Sequence, residues 1–210
     1  DAWYRKLLDD KIVREAPANA TFLELGSGGS LLKARDPRVI TSDVSGGIAE
    51  MTIDARRLPF PDGSLHAIFM THVFHHIPDV SAFLREAERT LRPGGVIAMI
   101  DVAATPFARL FFSNFHPEPF KPRADWTFQQ AHTMYDSNQA LSWIVFRRDL
   151  ARFQREFPTL DLEVTEYLPW LPYLFSGGVT KRNLLPNVLA RVAITCDELL
   201  PILRPVFALH

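Results

Sequence analysis

The sequence predicts an α/β fold, a mostly parallel sheet covered on both faces. Short apolar runs recur at residues 21–25, 39–43, 65–71 and 96–100, each stopping at a glycine, an acid or a turn. Helical spacing of apolar residues fills at least one gap between them, at 81–91. The chain has 210 residues, 47% of them hydrophobic, which suffices for one domain with a sizeable core.

The elements follow in order. Trp3, Leu7, Leu8, Ile12 and Val13 predict an amphipathic helix over 1–16. Residues 21–25 form a strand that runs straight into Gly26-Ser27-Gly28-Gly29-Ser30, and a brief helix should follow. Residues 39–43 form a strand ending in Asp43. After the strand at 65–71, the helix at 81–91 turns Phe83, Leu84, Ala87 and Leu91 inward. Arg92-Pro93-Gly94-Gly95 is a turn, and the strand at 96–100 stops at Asp101. Beyond it, residues 103–180 are rich in Pro, Phe, Trp and His and lose periodicity. A helix is still predicted over 143–157, a strand over 160–168 and a helix over 187–203.

Charge and composition exclude several classes. With 23 basic and 24 acidic residues, the net charge of -1 does not favour phosphate neutralisation, so no nucleic-acid partner is expected. The single cysteine, Cys196, excludes an internal disulfide framework and a cysteine-based zinc site, and its spacing suits a core thiol. No apolar run of about 20 residues predicts a membrane span, and without a signal pattern the expected location is cytoplasmic.

Chemistry concentrates at the first glycine turn. A strand that ends in glycines before a helix lets a ligand approach the backbone closely. The dinucleotide pattern G-x-G-x-x-G fails, because position 31 is leucine. Glu24, two residues before the first glycine, suits a ligand carrying an ammonium group. Asp43, at the end of the next strand, suits ribose hydroxyls. Local alternatives exist: Glu24 or Asp54 as a helix cap, Asp43 as a turn residue before Ser45-Gly46-Gly47.

Together these motifs resemble the class I S-adenosylmethionine-dependent methyltransferases, specifically the methyltransferase type 11 group. Glu24-Leu25-Gly26-Ser27-Gly28 is similar to that family's first motif and Asp43 to its ribose acid. Asp54-Ala55-Arg56-Arg57-Leu58-Pro59-Phe60 resembles the adenine segment. Thr71-His72-Val73-Phe74-His75-His76 resembles the stretch beside the methionine moiety, and Leu91-Arg92-Pro93-Gly94-Gly95 the turn before the fifth strand. The resemblance covers residues 20–102 as a cofactor-binding core. It implies a seven-stranded Rossmann-like sheet, S-adenosylmethionine as cofactor, and Glu24, Gly26, Ser27, Gly28, Asp43, Val44, Asp54, Ala55, Thr71 and His72 as binding residues. Only ten residues separate Asp43 from Asp54, so the helix between the second and third strands should be nearly or wholly missing.

His72, His75 and His76 would share one face of a helix, but no carboxylate near them in the sequence completes a ligand set, and no metal is expected. His76, His116 and Tyr135 are the candidate proton acceptors. Residues 103–180 are expected to form an acceptor-binding insertion or lid, with His116, Trp126 and Tyr135 nearest the transferred methyl. The expected activity is methyl transfer to a small or amphipathic acceptor. An inactive cofactor-binding regulatory module and a nucleotide-dependent oxidoreductase are the alternatives.

Overall fold

The computed structural model describes residues 12–13, 15–29, 32–129 and 136–162. Tyr135, Cys196, the strand predicted beyond residue 162, the helix at 187–203 and most of the predicted leading helix lie outside the described residues.

Five parallel strands make one sheet: β1 (Phe22–Leu25), β2 (Val39–Asp43), β3 (Met51–Thr52), β4 (Leu65–Thr71) and β5 (Leu91–Ile100), in the order β3-β2-β1-β4-β5. The expected seven-stranded sheet is thus seen in five strands among the described residues. β1 is buried at all four positions because it lies between β2 and β4, with Phe22 opposite Val39 on one side and Ala67 on the other. β5 is irregular at its start: Leu91 pairs with Leu65, but the next pair is Ala67 with Val96. The predicted Arg92–Gly95 turn is this interruption, with Gly94 at φ 75°.

Helix α1 (Val80–Thr90) buries Val80, Phe83, Leu84 and Ala87, and Asp79 caps it by accepting the Ala82 N–H at 2.9 Å. Helix α2 (Pro106–Phe115) is capped by Thr105. The helix predicted over 143–157 is present in three pieces: α3 (Leu141–Trp143), a π-helical turn (Ile144–Arg148) and α4 (Leu150–Glu156). Among the described residues no helix is long and apolar enough to cross a membrane.

Two connections are shorter than in a full strand–helix alternation. No helix joins β2 to β3, as the spacing of Asp43 and Asp54 predicts. Side chains brace the link instead: the Glu50 carboxylate accepts the Thr41 N–H at 2.9 Å and an ion pair from Lys33 at 2.9 Å. The brief helix predicted after the glycine turn is a correction. Residues 32–36 make a single turn closed by Asp36 N–H to Leu32 C=O at 2.9 Å, and Pro37 supplies no N–H to continue it.

Arg89 fixes the segment beyond β3. Its guanidinium donates to the carbonyls of Leu58 and Phe60 and to Asp62 and Glu86, while Glu86 accepts the Leu58 N–H at 2.7 Å. The aromatic segment folds back on the sheet in a comparable way: Asn138 N–H donates to His75 C=O at 2.8 Å and Gln139 N–H to Pro119 C=O at 3.0 Å.

Candidate active site

Strand order reverses between β1 and β4, and open parallel sheets bind ligands beyond the carboxyl ends of strands at such a point. The glycine turn leaves β1 there, and Thr71-His72 leaves β4 beside it. Gly26 and Gly28 take φ values of 62° and 49°, the left-handed region that glycine enters without strain. Ser27 N–H donates to Ser42 C=O at 2.9 Å, tying the turn to the end of β2. A Cβ built on Gly28 would meet none of the described residues within 4 Å. Two hydroxyls at this junction, Ser27 Oγ and Thr71 Oγ1, are buried without a hydrogen-bond partner among the described residues. Buried orphan hydroxyls are uncommon and call for a ligand or water.

The remaining residues predicted for the cofactor are also at strand ends. Glu24 is buried within β1. Asp43 spends Oδ1 on a turn, accepting Ser45 N–H at 3.0 Å and Ser45 Oγ–H at 2.8 Å, the turn role that the sequence offers for it. Val44 is 68% exposed. Asp54 holds Arg56 bidentately, with a shortest contact of 2.6 Å, and this ion pair lowers its pKa. An open depression of about 640 Å³ lies along residues 52–54 and 57–61, and Ala55 packs on the core beside it.

A second group of residues gathers at the ends of β4 and β5. The three histidines do not share a helix face. His72 follows the last residue of β4 with φ 57°, while His75 and His76 end a single 3-10 turn (Phe74–His76). His75 is enclosed: its Nδ1 lies 2.5 Å from Asp101 Oδ1, and its Nε2 lies 3.3 Å from Glu118 Oε2. His76 Nε2 faces the same Glu118 oxygen at 3.7 Å, and its Nδ1 lies 3.2 Å from the Asp136 carbonyl. Ser137 Oγ at 3.1 Å and Gln139 Nε2 also donate to that oxygen.

Burial works against a charged His75, but Asp101 and Glu118 outweigh it and raise its pKa to about 9. Burial would raise both carboxylates, yet His75 holds each at about 2. Burial takes His72 down to about 4 and also lowers His76 and His116, which favours their neutral forms at pH 7.

Tautomers separate the candidate proton acceptors. His116 Nδ1 accepts the Glu118 N–H at 3.2 Å, so the proton of the neutral ring is on Nε2, a donor. His76 is the reverse: a carbonyl at Nδ1 requires a proton there, which leaves Nε2 with a free lone pair. Trp126 is a correction. It is fully buried, stacks on Phe157 at 6.4 Å and donates its indole N–H to Asp149 at 2.9 Å, so it belongs to the core. Glu118 supplies the carboxylate that the histidines lack nearby in the sequence, which removes the ground for expecting no metal. Asp101 ends β5 as Asp43 ends β2, a signal present in the sequence. Glu118, Ser137 and Gln139 carry no spacing that links them to the histidines.

Residues 23–99 match the family described as a methyltransferase domain. The match takes in nearly all of the sheet, from β1 to β5. The 27-O-demethylrifamycin SV methyltransferase of Amycolatopsis mediterranei is 30% identical over 95 residues, 45% of this chain and 35% of that protein. The demethylmenaquinone methyltransferase of Mycolicibacterium gilvum is 34% identical over 105 residues, 49% of this chain and 46% of that protein. The match thus spans less than half the length of these curated relatives. Among solved structures, the geranyl diphosphate C-methyltransferase of Streptomyces coelicolor A3(2), in complex with Mg2+, geranyl diphosphate and S-adenosyl-L-homocysteine, shares the fold. Its TM-score is 0.55 at 17% identity, over 94% of this chain and 72% of that one.

Proposed function

We propose that this chain is an S-adenosylmethionine-dependent methyltransferase whose acceptor is a small, partly apolar molecule. The carrying observation is the pair of buried hydroxyls without a partner among the described residues, Ser27 Oγ and Thr71 Oγ1, beside Gly28 at the switch point of the sheet. They fit the amino-acid end of the cofactor, together with Glu24, Gly26 and His72. Asp43 Oδ2 accepts from the ribose, and Val44, Asp54 and Ala55 flank the adenine. When bound, the cofactor supplies an electrophilic methyl carbon on a cationic sulfur. The chain's part would be to place the acceptor atom in line with that carbon, because displacement at a sulfonium methyl needs positioning more than acid–base help.

Residues 103–180 are the acceptor side. The support is convergence: His116, Glu118, Ser137 and Gln139 come from this segment and meet His75, His76 and Asp101 from the cofactor-binding core. The named acceptors of the relatives, a demethylmenaquinone and a demethylrifamycin, are both ring systems with apolar surface, which suits this end of the crevice.

Titration calorimetry with S-adenosylhomocysteine tests the cofactor half, and the expected result is saturable binding at one site. No heat with this ligand, but binding of a nicotinamide dinucleotide, would replace the reading with an oxidoreductase. Release of S-adenosylhomocysteine from a panel of hydroquinones and phenols tests turnover. Tight cofactor binding without turnover on any of them would favour an inactive regulatory module.

A further inference from the structure

We propose that His75, His76 and Glu118 bind a divalent transition metal, zinc in the first instance, at the acceptor end of the crevice. The three residues each offer one ligand atom, and these atoms all lie within 4.8 Å of one another. Two ligands bound at about 2.1 Å with tetrahedral angles lie about 3.4 Å apart. The Nε2 atoms of His75 and His76 lie 3.3 and 3.7 Å from Glu118 Oε2. Both histidine-to-carboxylate separations are close to the spacing that a tetrahedral ion imposes.

The outer partners are those a metal site requires. A ligating histidine usually donates its other ring N–H to a carboxylate or carbonyl, which fixes the tautomer and aims the bare nitrogen at the ion. Both histidines do so: His75 Nδ1 faces Asp101 and His76 Nδ1 faces the Asp136 carbonyl. Asp101 is itself anchored, accepting the His75 N–H at 3.0 Å and the Val102 N–H at 2.7 Å.

Gln139 supplies an independent observation. Its side chain is 3% exposed, its Oε1 has no partner, and its Nε2 lies 3.3 Å from His75 Nε2 while donating to Glu118. With Nε2 bare, the tautomer that the Asp101 contact at Nδ1 allows, the His75 lone pair faces the Glu118 carboxylate, and a cation between Nε2 and Oε2 relieves that repulsion.

Two imidazoles and one carboxylate form a set of borderline softness, which selects zinc, iron(II) or cobalt over magnesium. Three protein ligands leave a fourth position, and the partly exposed His76 edge gives access for an acceptor oxygen, whose proton a metal makes easier to lose. Only that use rests on the methyl-transfer reading. The metal site does not.

The full chain, stripped with chelator, is titrated with zinc sulfate against a chelating dye, and with cobalt(II) by visible absorption. Expected are one equivalent of zinc bound and intense visible bands of tetrahedral cobalt. Glu118→Gln and His76→Gln should weaken zinc at least tenfold, Asp101→Asn about 10–100-fold, and His66→Gln, a control on β4, should change nothing. Circular dichroism verifies folding, and the part-exposed His76 keeps one variant free of core damage. Zinc held no more tightly than by His76→Gln, or cobalt spectra without tetrahedral bands, overturns the site. Calorimetry with S-adenosylhomocysteine on the metal-free chain is read separately. Its failure beside good zinc binding overturns methyl transfer alone.

Discussion

Gly26 lies so close to Val73 that a Cβ on the glycine would fall 2.4 Å from Val73 Cγ2. The turn that ends β1 is therefore in van der Waals contact with the segment that carries His75 and His76. The glycine turn and the segment of the histidine cluster thus meet at one junction.

Gly26→Ala must push against Val73 and also hold a left-handed φ of 62°, a conformation that costs a non-glycine residue about 1–2 kcal/mol. Its urea midpoint should fall clearly, and Val73→Ala in the same chain should recover part of the loss. Gly28→Ala meets none of the described residues, so only the backbone cost remains. Its stability should change less than that of Gly26→Ala while S-adenosylhomocysteine binding weakens strongly. Equal losses of stability in the two variants would show that Gly28 is a structural glycine.

Asp43→Asn keeps the shape of the turn but removes the charge offered by Oδ2. Charge-assisted hydrogen bonds contribute about 1.5–3 kcal/mol. Calorimetry should therefore show S-adenosylhomocysteine bound roughly 10–150-fold more weakly, with the melting temperature of the free chain nearly unchanged. Unchanged affinity would leave Asp43 only its turn with Ser45.

Trp126→Ala should destabilise the fold by about 3–5 kcal/mol, since it empties a fully buried aromatic site against Phe157 and leaves Asp149 without the indole donor. Urea denaturation measures this. A variant of near-normal stability would return Trp126 to the acceptor pocket where its sequence context first put it.

What could be read from the sequence follows the range of the forces involved. β1, β2, β4 and the strand after Gly95 were legible because each is a local apolar run, and α1 because Phe83, Leu84 and Ala87 fall on one face. The missing helix between β2 and β3 followed from counting residues. The turn at 32–36 did not, since the apolar pattern of Leu31 and Leu32 suits a helix, and only the early Pro37 limits it. The His75–Glu118 contact was invisible for another reason. It depends on the aromatic segment folding back over the ends of β4 and β5, and no periodicity encodes that path. Trp126 misled because an aromatic among polar residues looks the same whether it lines a pocket or fills a core.

The last prediction concerns acid stability. Asp36 accepts the Arg38 N–H at 2.9 Å and binds its guanidinium with a shortest contact of 2.6 Å, while the same guanidinium donates to the carbonyls of Val13 and Pro17. Asp36 therefore orients an arginine that ties the chain before β1 to the turn before β2. The side-chain bond from Arg38 outweighs burial and sets the Asp36 pKa below its ordinary 3.8. A carboxylate with a lowered native value binds fewer protons folded than unfolded. Its contribution is complete above pH 3.8 and is lost as pH falls toward the lower native value. Asp36→Asn should lower stability at pH 7 by about 2 kcal/mol, the scale of a charge-assisted hydrogen bond. The gap between variant and parent should then narrow as urea midpoints are followed below pH 4. A gap that stays constant down to pH 2 would mean that the loss comes from shape and not from the charge on Asp36.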